Sequence, residues 1–483
     1  MRKTARLATS ALAVVWIAFA PVDGAAQQPA ARASTGAGLS QALQRLDLAG
    51  ALGGGVPLGE AATAPIALTL DDALTRGLRQ NLAVLAQEAA VEAAHGGRWR
   101  ARSDLLPKLS ARFTDTRQQI SLAALGVSLP GVPMTLGPFN VYDVRIAGSQ
   151  AIWNMNALYA TRAGSAALRA EEHTLRNARE LVVWAVRALY LQAVAGESRL
   201  AAARAQTDTA QALYDLAVDL KSSGVAAGID VLRAQVQLQT WRQRAIVAGN
   251  DFAKQKLQLA RAIGLPVGQA FTLADAMPYE PLRAMPLEEA LARAYESRED
   301  YHAAQALVDA AQAGRKAALG ETLPSLQVSA DYGGVGNTVS EVYRTYSVVT
   351  QVRVPIFDAA TMRGRILEAD ALLRLRQSEL ADFRARVDDD VRTALLDLSA
   401  AEEQVQVAQT TVTLAGQELA QSQDRFAAGV ADNVEVVQAQ VAVAVATENH
   451  IASLYAHNMA KASLARAVGV VDGARSGPAG GRQ

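Results

Sequence analysis

Two hydrophobic periods run along this chain, one of two residues and one of seven. Leu109, Ala111 and Phe113 alternate with Lys108, Ser110, Arg112 and Thr114, and Tyr142, Val144 and Ile146 alternate with Asp143 and Arg145. Later, Leu326, Val328, Ala330 and Tyr332 alternate with Ser325, Gln327, Ser329 and Asp331. Tyr346, Val348, Val352 and Val354 then alternate with Ser347, Gln351 and Arg353. Successive side chains of a strand point to opposite faces, so each stretch predicts a strand with one apolar and one polar face. The first pair is joined by SLAALGVSLPGVPMTLGP and the second by GGVGNTVSEVYR, glycine-containing connections that predict two hairpins.

A very long proline-free stretch follows each hairpin, and the second shows the seven-residue period plainly. Ile366, Leu373, Leu380, Val387, Ala394, Ala401, Ala408 and Ala415 recur at sevens. Val391, Leu398, Val405, Val412, Leu419 and Phe426 form a second row offset by four. Such a seam, sustained this far, is a coiled-coil pattern. The spacing predicts proline-free helices over about Asn156–Lys221 and about Ala359–Ala428, each roughly 100 Å long. Each meets a glycine, Gly224 or Gly429, suited to a left-handed cap. Shorter helices are expected to return over about Ile229–Ile263 and Asn433–Val468. One more helix is predicted from a Thr69 N-cap, with Asp71 and Asp72 in its first turn, to about Ser103.

The pattern is written twice. LTLDDALTRGLRQN at Leu68–Asn81 answers MPLEEALARAYESR at Met285–Arg298, and LLPKLSARFTD at Leu105–Asp115 answers TLPSLQVSADY at Thr322–Tyr332, both 217 positions apart. SSGVAAGIDVLRAQVQL at Ser222–Leu238 answers AAGVADNVEVVQAQVAV at Ala427–Val443, and LARAIG at Leu259 answers LARAVG at Leu464, both 205 apart. About 12 residues are therefore missing from the second copy, most simply from its hairpin loop. This is duplication of a whole structural unit, too long for a solenoid repeat.

The expected organisation starts with a signal peptide at 1–26. Arg2, Lys3 and Arg6 precede the apolar run Leu7–Ala20, and Gly24, Ala25 and Ala26 offer small residues for cleavage. The run stops at Pro21, short of a membrane span, and no cysteine follows for lipid attachment. An N-terminal linker is expected at 27–66. A first repeat follows at 67–284 (helix, β-hairpin 108–152, long helix, returning helix), then a second at 285–470 with its hairpin at 324–356. A disordered tail is expected at 471–483.

Composition narrows the function classes. The 483 residues carry 47 basic and 47 acidic side chains, so no basic surplus points to nucleic acid. The absence of cysteine excludes disulfides, cysteine-type zinc clusters and thiol catalysis. His95, His173, His302, His450 and His457 lack metal-ligand spacing, and no G-x-S-x-G nucleophile motif occurs. Gly333–Gly336 falls in an expected hairpin loop, not at a strand–helix junction that cradles phosphate. Asp388–Asp390 reads as a solvated helix face. No enzyme, metal or cofactor is expected.

One chain cannot close a barrel from four strands, because open edges in lipid leave backbone groups unpaired at several kcal/mol each. Three copies supply twelve strands, an even number that encloses a lumen. The polar face would then line water, and the apolar face would meet lipid.

The sequence resembles the TolC-type family of outer membrane efflux proteins over about Leu68–Val470. The resemblance is carried by the twin L-x-x-A-L helix starts (Leu70–Leu74, Leu287–Leu291) and the twin Leu-Pro before each hairpin (Leu106-Pro107, Leu323-Pro324). It is carried also by the V-P-I-F-D strand exit (Val354–Asp358) and the twin G-V-x-x-x-x-[DE]-V-[LV]-x-A-Q turns below the long helices. It implies a mostly α fold with a membrane β-barrel: an internally duplicated chain whose long coiled-coil helices form a periplasmic α-barrel. Its four strands per chain would enter a trimeric 12-stranded outer membrane barrel. The implied function is small-molecule efflux by a homotrimer coupled to a periplasmic adaptor protein and an inner membrane transporter. Type I protein secretion is the alternative use of the same family. A soluble periplasmic coiled-coil adaptor is the alternative of another class, disfavoured by the two amphipathic hairpins.

In the family, acidic residues ring the periplasmic aperture. The matching positions here are Glu435 and, in the first copy, Asp230, with Gly224 and Gly429 as turn glycines at the tunnel tip. Gln438 occupies the second acidic position, Phe426 replaces a common tyrosine, and Ala431 stands where some members carry arginine. Both acids also sit in a helix's first turn, where a carboxylate favours the dipole regardless of any gate.

Overall fold

The computed structural model describes residues 54–470, apart from 125, 127–129, 226, 278, 283–284, 357–358 and 432. The expected signal peptide, most of the linker and the tail lie outside the described residues. The elements are β1 (Ile66–Leu68), α1 (Leu70–Gln80), α2 (Leu82–Ser103), β2 (Lys108–Ser121), β3 (Thr135–Trp153), α3 (Met155–Ser222) and α4 (Gly228–Ala262). The same order then recurs as β4 (Phe271–Leu273), α5 (Leu287–Ser297), α6 (Glu299–Gly320), β5 (Ser325–Gly336), β6 (Tyr343–Arg353), α7 (Ala359–Ala427) and α8 (Asn433–Ala467).

The seven-residue seam explains the helix packing. Val387, Val391, Ala394, Leu398, Ala401, Val405, Ala408, Ala415 and Phe426 are all buried. The upper seam positions Ile366, Leu373 and Leu380 are only half-buried within one chain. Near the strands, α3 packs on α2 and α6, while its far half packs on α4 and α8. Side by side the helices form the series α4–α3–α8–α7. Exposed apolar residues remain at both ends of this series: Leu232, Val236, Ile246 and Leu257 on α4, and Leu375, Leu396, Val407 and Leu414 on α7.

Between strands and tip lies a belt of tertiary core. Leu68, Leu74, Val84, Val182, Val186, Tyr190, Leu259, Ile263 and Phe271 form its larger cluster. The Tyr190 hydroxyl, with one proton to give, lies within hydrogen-bond distance of both the Leu68 carbonyl (3.0 Å) and Asp275 (2.9 Å), and burial followed by the Asp275 contact pushes its pKa up. A second cluster joins Ala290 and Ala294 to Val387, Val391, Leu398 and Leu464. Among the described residues no helix is long and apolar enough to cross a membrane.

The structure corrects the sequence expectations in five places. The helix expected from Thr69 to Ser103 is two helices, broken at Asn81. The Thr69 cap itself is present, accepting from the Asp72 amide at 3.1 Å. Asn81 leaves the helical region because its buried side chain accepts from the Ala83 amide (2.9 Å) and donates to the Ala262 carbonyl (3.2 Å). A second break falls at Arg298, between α5 and α6. The strands span 14, 19, 12 and 11 residues, so β3 begins inside the segment read as a loop. Gly333–Gly336, also read as loop, belongs to β5. Gly333 is needed there because a Cβ would lie 2.2 Å from the Val144 carbonyl oxygen. Finally, β1 and β4 pair in parallel, with Ile66 opposite Phe271, where no strand was expected. Three-residue strands are too short to display a period.

Candidate functional site

Two regions carry the candidate function: the four-stranded sheet and the pair of turns at the opposite end of the long helices. The sheet order is β2-β3-β5-β6, antiparallel throughout. Its register sorts the side chains by polarity across all four strands. Ala111, Ile146, Tyr332 and Tyr346 form one row, and Leu109, Gly148, Ala330 and Val348 another. The opposite face carries Ser110, Ala147, Asp331 and Ser347, and next to them Arg112, Arg145, Gly333 and Thr345. Ile146, Tyr346 and Val348 are largely exposed, so within one chain the apolar face is uncovered.

One ionic network crosses the polar face. Arg145 reaches Asp143 at 2.8 Å on its own strand and pairs with Asp331 on β5. This links the first hairpin to the second through side chains as well as backbone. The alternation placed Arg145, Asp143 and Asp331 on the polar face, but a contact between strands depends on register, which the sequence alone leaves open.

At the other end, the two turns have the same construction. Gly224 (φ +75°) and Gly429 (φ +71°) adopt the left-handed conformation that glycine tolerates best. The Val225 amide donates back to the Leu220 carbonyl (2.9 Å), and the Val430 amide to the Arg425 carbonyl (3.0 Å). Each bond reaches five residues back and satisfies an otherwise orphaned helix-end carbonyl.

The two candidate acids occupy different surroundings. Asp230, only 16% exposed at its side chain, accepts from the Ala227 amide at 3.3 Å and pairs with Arg233 at 3.4 Å. It therefore completes the start of α4. Glu435, 42% exposed, pairs with Arg425 of the preceding helix at 3.1 Å. Asn433, fully buried, donates to the Asp230 carbonyl at 3.0 Å and ties the start of α8 to that of α4. Phe426 packs with Leu213 and Val436 beneath the turns. An apolar cleft of about 370 Å³ separates the two helix starts, lined by Ile229, Leu232, Val236, Val434 and Val437. The arginine partners and the cleft were not anticipated. The short spacings Asp230–Arg233 and Arg425–Glu435 were the available signals.

A larger cleft of about 830 Å³ lies between α4 and α8 over α3, with Trp241, Phe252 and Gln255 in its wall and the Arg199–Glu448 pair (2.8 Å) beside it. Among the described residues no group of three histidines or acids is placed to hold a metal.

The family model for outer membrane efflux proteins matches residues 73–265 and 290–470. The pyoverdine export outer membrane protein OpmQ of Pseudomonas aeruginosa is 24% identical over 414 residues, covering 83% of this chain and 85% of that protein. The alkaline protease secretion protein AprF of the same organism is 24% identical over 345 residues, covering 69% and 71%. Among solved structures, the CmeC outer membrane channel of Campylobacter jejuni superposes with a TM-score of 0.74 at 14% identity, over 83% of this chain and 85% of that one. The twin hairpins, the paired long helices and the matched halves lead to one assignment: this chain belongs to the outer membrane efflux protein family.

Proposed function

We propose that this chain is one third of an export channel in the outer membrane, with twelve strands in the membrane and the long helices in the periplasm. One observation carries the reading: sheet and helix series both stop at open edges, β2 and β6 in one, α4 and α7 in the other. An open strand edge in lipid costs several kcal/mol per unpaired group, so the strands require neighbours of the same kind. The apolar flanks of α4 and α7 require them too. Three copies give an even strand count and a lumen lined by the polar face. The channel moves small molecules passively, driven by an inner membrane transporter reached through a periplasmic adaptor. That partnership rests on the family resemblance. Type I protein secretion is the second reading, favoured by the likeness to a protease secretion protein.

The tip is the proposed aperture, with Glu435 as its principal acid, Asp230 as a lesser one, and Gly224 and Gly429 turning the chain there. Three Glu435 carboxylates around a narrow mouth would attract cations. Arg425 offsets part of that charge within each chain.

Extraction of the outer membrane fraction in mild detergent should yield a heat-resistant trimer that conducts in planar bilayers. Glu435→Ala should lower the cation-to-anion permeability ratio and weaken block by trivalent cations from the periplasmic side, and Asp230→Ala should do less. A monomer found in the soluble periplasmic fraction would overturn the channel. Unchanged selectivity and block in the double variant would overturn the aperture assignment alone.

A further inference from the structure

We propose that Arg112 forms an anion-binding ring inside the barrel lumen, taking multivalent oxyanions or cargo that carries carboxylate or phosphate groups. The inference rests on the channel reading above. Its basis is the charge balance of the sheet's polar face. That face carries Lys108, Arg112, Arg145 and Arg353 against two acids, Asp143 and Asp331. Both acids are taken by Arg145. Lys108 is paired with Asp104 at 2.8 Å, below the sheet. Arg353 is the last residue of its strand. Arg112, exposed in mid-strand, stands directly opposite Arg145 and meets no carboxylate among the described residues.

Two like charges placed directly opposite on neighbouring strands are destabilising. Arg145 is drawn to its two acids, which leaves the guanidinium of Arg112 without an internal partner.

Closure of the barrel does not supply one. The outer edge of β2 would then face β6 of the next copy. The polar face of β6 presents Tyr343, Thr345, Ser347, Val349, Gln351 and Arg353, none of them acidic. Whatever the register between copies, no carboxylate arrives from that strand. The loop at 122–134 contains no acid, and Glu341 lies in the other loop beyond the strand ends. Three copies thus set three uncompensated guanidinium groups around one level of the lumen. Arginine suits oxyanions because its planar fork presents several N–H donors at once. Rings of basic side chains are how pores select anions. The channel then carries charge of opposite sign at its two ends, acidic at the tip and basic in the barrel.

The test is a bilayer measurement on the full-length trimer with tripolyphosphate added on the side of the hairpin loops. Tripolyphosphate should block the wild-type conductance at low salt. Arg112→Gln should raise the blocking concentration by about ten-fold and shift the permeability ratio toward cations. Arg112→Lys should retain much of the block, and in about 1 M salt the block should collapse because exposed charges are screened within ~3 Å. Equal block of wild type and Arg112→Gln, with unchanged permeability ratio, would overturn the ring while leaving the channel intact. A wild-type protein that forms no trimer and carries no current would instead overturn the channel reading. Recovery of Arg112→Gln as a heat-resistant trimer separates loss of the site from loss of the fold.

Discussion

Asn81 and Arg298 stand 217 positions apart, and each breaks a helix at the same place in its half of the chain. Their backbones nearly coincide, with φ −70°, ψ 132° at the first and φ −71°, ψ 117° at the second. The chemistry that holds them differs. Asn81 uses a neutral amide, one atom accepting from the chain ahead and the other donating across to the end of α4. Arg298, 7% exposed at its side chain, is held by Asp300 at 2.8 and 3.0 Å and by Asp390 of α7 at 2.8 Å. The next residue, Glu299, adds a second ionic group with His173 (2.6 Å) and Arg176 (2.8 Å) of α3, whereas the corresponding residue in the first half is Leu82. One backbone geometry thus has two solutions. The amide joint is indifferent to pH, and the ionic joint is not.

The largest test of this contrast removes the two central side chains. Arg298→Ala removes the hydrogen-bonded counter-charge of Asp300 and Asp390, while Arg466 still acts on both through space. Loss of one partner from a buried pair costs about 3–5 kcal/mol. Asp390 is nearly half exposed, so the lower end applies. Amides around 294–302 should lose roughly a hundred-fold of hydrogen-exchange protection. Asn81→Ala removes a cap and one cross-helix bond, about 1–2 kcal/mol, and the amides around 77–85 should lose closer to ten-fold. Equal losses at the two joints would show that the amide and the ionic joint hold the chain alike.

A smaller effect sharpens it. Burial would raise the Glu299 carboxyl, but hydrogen bonds from Arg176 and His173 outweigh it and hold the pKa below its ordinary 4.5. The folded state therefore binds this proton more weakly than the unfolded chain does. The stabilisation is complete above the ordinary carboxylate pKa and is lost as pH falls through the lower folded value. Exchange protection measured across that acid range should fall at the second joint, and Glu299→Gln should flatten the dependence. An equal fall at the first joint would contradict the assignment.

Much of the architecture was legible because long periods average out local ambiguity. The seven-residue seam of α7, together with the proline-free runs and the glycines that end them, placed the ends of α3, α4, α7 and α8 within a residue or two of those observed. The turn glycines Gly224 and Gly429 were legible because a left-handed cap leaves few alternatives. The breaks at Asn81 and Arg298 were not, since helical periodicity continues across them and the partners that stabilise them, Ala262 and Asp390, lie far along the chain. Gly333–Gly336 read as loop because glycine signals a turn; its actual role, room for the backbone of β3, appears only once strands are paired. The alternation gave the polar face of the sheet, while the division of charge between Arg145 and Arg112 required the register.

The central claim is that the sheet is a membrane wall with water on one side and lipid on the other. The chain contains no cysteine, so single cysteines introduced at chosen positions can be probed with a membrane-impermeant thiol reagent in outer membranes. The account expects labelling at Asp143, Arg145, Gln327 and Gln351, and protection at Val144, Ile146, Val328 and Val348. Equal labelling of both sets would contradict it.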